Sequence, residues 1–240
     1  MKSKFKILLL TTIFISCSGN IQFVDKFPDR PYLEINFCQY EETFSVTDLT
    51  ISVKEINRLN SKNFNKDEIN IFYLDPKFNP NEYDFAWLNL FSSKSDFIRF
   101  DNLLQNNKKY KNWGKTFKKV SNCNTDKQYF YKLYNNNFLD LEGGKVLKNY
   151  SFCKYLPSSD LNKIVDFFYK NYEGYTSNIS ILIPEIINTQ FDFVLEESSI
   201  EIEEYISIVS QIGFVADCNL DLPEKYNDGL YYDGYLLKNN

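Results

Sequence analysis

Residues Asn70 to Phe85, NIFYLDPKFNPNEYDF, return at Asn178 to Phe193 as NISILIPEIINTQFDF. The two segments align without a gap and share Asn, Ile, Leu, Pro, Asp and Phe at the same places, with Tyr83 answered by Phe191. Two further pairs keep the same order around them. Phe37-Cys38-Gln39-Tyr40 is matched by Phe152-Cys153-Lys154-Tyr155, and Cys123-Asn124-Thr125-Asp126 by Cys218-Asn219-Leu220-Asp221. A chain built this way is a tandem duplication, so each half must fold to the same plan. The sequence divides accordingly: 1–17 as a signal peptide, 18–31 as a tether, 32–134 and 148–237 as the two repeats, and 135–147 as a linker.

Apolar periodicity supplies the elements of each half. Tyr32–Tyr40 alternates and is rich in strand formers. A helix follows from Val46, with Thr47 or Asp48 as cap and Leu49, Val53 and Ile56 on one face. Ile69–Leu74 and Tyr83–Phe91 form a long hairpin across Pro76 and Pro80, Ser95 opens a second helix, and Gln128–Tyr134 is the fourth strand. The second half replays this. Lys148–Tyr155 is a strand, and a helix carries Leu161, Ile164, Val165, Phe168 and Tyr172. Asn178–Ile183 and Gln190–Leu195 are hairpin strands, and Glu196–Ile212 is a helix with acids in its first turns. Phe214–Cys218 and Leu230–Leu237 supply the last strand region.

Each half thus reads β-α-β-β-α-β, the ferredoxin-like unit, giving an α+β chain of two tandem repeats. From about 32 to 237 the element order resembles the dimeric α/β-barrel superfamily, which implies antiparallel sheets packed as a pseudo-dimeric barrel around a cavity. Asp84-Phe85-Ala86-Trp87 in the third strand, with a Cys in the first, also resembles exported proteins of marine bacteria.

The first residues point to export. Lys2, Lys4 and Lys6 precede an apolar run from Ile7 to Ile15, which at about 1.5 Å per residue cannot cross about 30 Å of hydrocarbon. Phe14-Ile15-Ser16-Cys17 resembles the lipobox of bacterial lipoproteins, with Cys17 the lipidated residue and a membrane anchor as the consequence; ordinary signal cleavage is the alternative. The remaining cysteines fall two to a repeat, and exported chains oxidise paired thiols. Duplication selects Cys38 with Cys123 and Cys153 with Cys218, each repeat closing its own bridge. A periplasmic or outer-membrane-anchored location follows, with a monomer expected because the duplication supplies internally what a dimer supplies elsewhere.

No catalytic signature is present. The chain contains no His, which removes triads, His-based metal sites and His-ligated haem, and haem enzymes of the resembled superfamily need that ligand. No cofactor or metal is expected, and a net charge of -5 argues against nucleic acid. Asp84 and Asp192 recur at the start of the third strand, where a carboxylate facing a cavity could serve as general base; the plainer reading is that each fixes its local turn. Trp87, Tyr40 and Tyr155 are candidates to stack on a ligand, with core packing the competing role. The acids Glu196, Glu197, Glu201, Glu203 and Glu204 read as a solvated helix face rather than a Ca²⁺ site. The expectation is a non-enzymatic exported protein that binds a small apolar or aromatic ligand or an envelope protein. The alternatives are a cofactor-free oxygenase or isomerase of the barrel type and a structural envelope protein.

Overall fold

The computed structural model describes residues 30–76, 83–123, 127–135, 145–171, 178–186, 190–199, 213, 216–218 and 232–236. The first half comprises β1 (Tyr32–Tyr40), α1 (Val46–Asn60), β2 (Ile69–Pro76), β3 (Phe85–Phe91), α2 (Lys94–Asn106), α3 (Lys108–Val120), β4 (Ser121–Cys123) and β5 (Gln128–Asn135). The second comprises β6 (Lys145–Tyr155), α4 (Leu161–Asn171), β7 (Asn178–Pro184), β8 (Phe193–Ser199), β9 (Ala216–Asp217) and β10 (Tyr232–Leu236).

The strands run β2-β3-β1-β5 in one half and β7-β8-β6-β10 in the other, the same ferredoxin-like order twice. The two sheets are joined along their edges by hydrogen bonds. Strand β5 pairs with β7, and β10 pairs with β2, so eight antiparallel strands close into a barrel. The α+β fold with a pseudo-dimeric α/β barrel is therefore observed. Closure leaves the barrel strands without a free edge, the feature that otherwise makes sheets prone to association.

Alternation along each strand separates the molecule into layers. On β1, Leu33, Ile35 and Phe37 face the barrel interior, while Tyr32 and Cys38 join the outer core beneath α1, α2 and α3. On β3, Ala86, Leu88 and Leu90 point inward and Phe85, Trp87 and Phe91 outward. The second half repeats this, with Ile164 and Phe168 of α4 covering Ile179, Ile181, Phe193 and Leu195. Both bridges form as the duplication demands, Cys38–Cys123 and Cys153–Cys218. They sit at matching places, since β4 lies beside the end of β1 with Cys38 opposite Cys123, and β9 beside the end of β6.

Several local expectations are corrected. Ser45, not Thr47 or Asp48, caps α1, and the Asp48 carboxylate accepts the Ser45 backbone N–H at 3.0 Å. Ser93 rather than Ser95 caps α2, accepting the Asp96 N–H at 3.2 Å. Helix α3 was not anticipated, although Tyr110, Trp113, Phe117 and Val120 recur at helical spacing among its lysines. Glu196 and Glu197 are not a solvated helix face: β8 runs on to Ser199, and both carboxylates are buried at 3% exposure. The rest of the expected helix, 200–212, lies outside the described residues, as does the N-terminal segment through residue 29. Among the described residues no helix is long and apolar enough to cross a membrane.

Candidate functional site

The interior of the barrel differs between its two halves. In the first, the inward positions Leu33 on β1, Phe72 on β2 and Leu88 on β3 are apolar. The duplication places Lys148 on β6, Ser180 on β7 and Glu196 on β8 at the equivalent positions. Burial of three polar groups where the twin repeat keeps hydrocarbon is costly unless they satisfy one another.

They do so with a fourth partner from β5. Lys132 Nζ donates to Glu196 Oε1 at 2.9 Å and to Ser180 Oγ at 3.2 Å. Lys148 Nζ lies 3.1 Å from the same Oε1 and donates to Ser198 Oγ at 3.2 Å. The Tyr150 hydroxyl donates to Glu196 Oε2 at 3.0 Å. Lys132 and Lys148 are each 6% exposed, and Lys148 also stands 5.2 Å from the centroid of the Phe72 ring. A register shift of β5 against β7 between Lys132 and Tyr134 lies immediately beside the site, where irregularities of this kind re-aim side chains.

Electrostatics divides the roles. Burial pushes the Lys148 ammonium below its ordinary value, with Lys132 acting in the same direction and Glu196 opposing both. Burial would raise the Glu196 carboxyl, but the two ammonium groups outweigh it and hold Glu196 well below the usual carboxylate range, at about 2. Glu196 is therefore a fixed anion at neutral pH, a counter-ion and not a proton acceptor.

Tyr150 links this cluster to an apolar slot. The slot is bounded by Ile35, Phe37, Leu88, Phe130, Phe152 and Val194, among others, and these side chains nearly fill it. Phe37 and Gln128 are half-buried and mark its mouth, at the end of the barrel where β1 and β6 finish.

The residues singled out from sequence stand elsewhere. Asp84 donates its backbone N–H to the Cys38 carbonyl at 2.9 Å and accepts the Tyr40 N–H on Oδ2 at 2.7 Å. Asp192 makes the same pair of bonds to Cys153 and Tyr155, each at 2.8 Å. Each Asp latches the end of the first strand of its repeat. Trp87 points outward, donates to Asn89 Oδ1 at 2.9 Å and packs on Phe117 with ring centroids 5.0 Å apart. Tyr40 shares a 3.0 Å hydroxyl contact with Tyr73, Tyr155 stacks on Phe193 at 5.3 Å, and burial raises both phenols above their ordinary value. Cys17 lies outside the described residues. Sequence reading missed Lys132, Lys148, Tyr150 and Glu196. The available signal was the inward alternation Val194, Glu196, Ser198, which continues the strand past the point where a helix was placed.

No family profile matches the sequence, and no curated protein matches it either. Solved structures do match. One is a protein of Fusobacterium nucleatum subsp. nucleatum provisionally described as a monooxygenase, 8% identical, with 87% of this chain and 93% of that one covered at a TM-score of 0.57. Another is a mutant chlorite dismutase of Candidatus Nitrospira defluvii, 10% identical, covering 86% and 91% at a TM-score of 0.52. A third, provisionally described as a chlorite dismutase, is 11% identical, with 87% and 96% covered at 0.50. These likenesses show the fold alone, a barrel of two ferredoxin-like halves. The expectation of a non-enzymatic binder is corrected, because the chains that share the barrel are described as enzymes. The His-ligated haem that the resemblance implies does not fit this chain, which has no His to hold it.

Proposed function

We propose that the chain is a cofactor-free small-molecule enzyme of the α/β-barrel type, an isomerase or oxygenase that begins by removing a proton from an apolar carbonyl or phenolic substrate. The observation that supports this reading is the buried Lys132–Glu196–Lys148 cluster with Tyr150, in which Lys148 and Glu196 stand where the first repeat keeps Leu33 and Leu88. In the proposed step the neutral fraction of Lys148 accepts the proton, and the Lys132 ammonium faces the negative charge that develops on the substrate oxygen. Return of the proton to another carbon completes an isomerisation, whereas addition of dissolved O₂ to the carbanion, with the proton returned from Lys148 to the peroxide oxygen, gives a hydroperoxide and restores the base. Glu196 keeps the two lysines in place, and the apolar slot excludes water.

The test is a panel of small cyclic ketones and phenols incubated in D₂O, followed by proton NMR for loss of C–H signal and by an oxygen electrode for uptake. Exchange or uptake that disappears in Lys148→Met with an unchanged circular dichroism spectrum is the expected result. Turnover that survives in Lys148→Met moves the chemistry away from the barrel interior.

We also propose export with a lipid anchor at Cys17. Two disulfides are compatible with an oxidising compartment, and the mass of the native protein reads both the cleavage and the anchor.

A further inference from the structure

Helix α3 carries charge of one sign only. Lys108, Lys109, Lys111, Lys115, Lys118 and Lys119 stand on its 13 residues with no Asp or Glu among them, in a chain whose net charge is -5. All six are exposed, and among the described residues none enters an ion pair. Helices α1, α2 and α4 each mix acids with bases. At 3.6 residues per turn the inner face of α3 is Tyr110, Trp113, Phe117 and Val120, and five of the six lysines fall within an arc of about 100° on the opposite side. Much of this arrangement works against the helix. Lys108 and Lys109 occupy the first turn, where the macrodipole favours acids, and Lys111, Lys115 and Lys119 repel one another at i,i+4 spacing. A partner of opposite charge relieves both costs.

The face also defines the kind of partner. It has no Arg, whose planar fork suits bidentate recognition of a single phosphate or carboxylate, and no exposed aromatic ring to anchor a protein interface, where Lys is depleted. Hydrated point charges on flexible stems, spread along about 20 Å of helix, suit a diffuse anionic surface. We infer that α3 is a docking face for a membrane surface bearing anionic phospholipid, held by charge and not by insertion. The segment from Cys17 to Arg30 reaches at most about 45 Å, so an acyl chain at Cys17 lets the helix lie on the same bilayer as a second point of attachment. The face lies outside the barrel and sets where the protein sits, independently of the chemistry within.

Cosedimentation of the full chain carrying Cys17→Ser, which removes the acyl site, with vesicles of phosphatidylcholine with and without phosphatidylglycerol tests the inference. Binding should require phosphatidylglycerol and fall steeply with added salt. Lys111→Gln, Lys115→Gln and Lys118→Gln together should weaken it about a hundredfold, at about fivefold per lysine, with a melting temperature no lower than the parent's. Lys154→Gln, Lys163→Gln and Lys170→Gln remove the same charge from exposed positions of the second repeat and should leave binding nearly unchanged. Equal losses from the two triple variants would make net charge the cause and overturn the inference, as would equal binding to the two kinds of vesicle or binding to neither. Tighter binding to duplex DNA, lost in the α3 variant, would overturn it by assigning the face to nucleic acid.

Discussion

Glu196 is the residue on which the interior turns. Removing it by Glu196→Gln leaves two buried ammonium groups without their anion, a loss of the size seen for broken buried pairs, about 3–5 kcal/mol, measured by urea unfolding at neutral pH. Its acid dependence has a defined sign. The folded-state pKa of about 2 lies below the ordinary 4.5, so as pH falls the unfolded chain takes up the proton first. The stabilisation is complete above about 4.5 and is lost as pH falls towards about 2, a slope that Glu196→Gln should flatten relative to the parent. Apart from the alternation Val194, Glu196, Ser198, little of this could be read along the chain. Glu196 and Glu197 precede a run of further acids and resemble a helix first turn, and Lys132 in QYFYKLY resembles a lysine on the wet face of a strand. The face became visible only when the barrel closed around it.

Elements repeat their construction even where residues differ. The two Asp latches are superimposable in kind: each binds a backbone N–H of the first strand, Tyr40 or Tyr155, two residues beyond a bridged Cys. Asp84→Ala and Asp192→Ala should each cost about 1–3 kcal/mol in urea unfolding, whereas the Asn variants retain an acceptor and should cost less. The cross-strand pair beneath the helices is preserved with its members exchanged. Glu34 opposite Asn89 becomes Asn149 opposite Glu197, and in both halves the amide nitrogen donates to the carboxylate, at 2.6 Å and 3.2 Å. Strands and the first helix of each half were readable because their apolar spacing is local. Helix α3 was overlooked although its spacing is local too, since its many lysines mask a narrow buried face of Tyr110, Trp113 and Val120. Strand alternation places Trp87 on one face with Phe85, but only the fold shows that this face is the outer one.

At the scale of the whole molecule, the two seams and the two bridges hold the chain closed. The bridges link residues 85 and 65 positions apart, for which loop-closure entropy gives about 4 kcal/mol each. Cys38→Ser with Cys123→Ser, and Cys153→Ser with Cys218→Ser, should each lower stability by roughly that amount by chemical denaturation. Similar losses from the two pairs would show that both halves unfold as one body. The sequence by itself determined the duplication, the ferredoxin-like order of each half and the cysteine pairing, because each depends on which residues recur and at what spacing. Only the tertiary structure decided that β5 joins β7 and β10 joins β2, since backbone hydrogen bonds between edges carry no side-chain signature. It alone brought Lys132, Lys148, Tyr150 and Glu196 together, because a charge cluster assembled from three strands of a closed barrel has no spacing in the chain from which to read it.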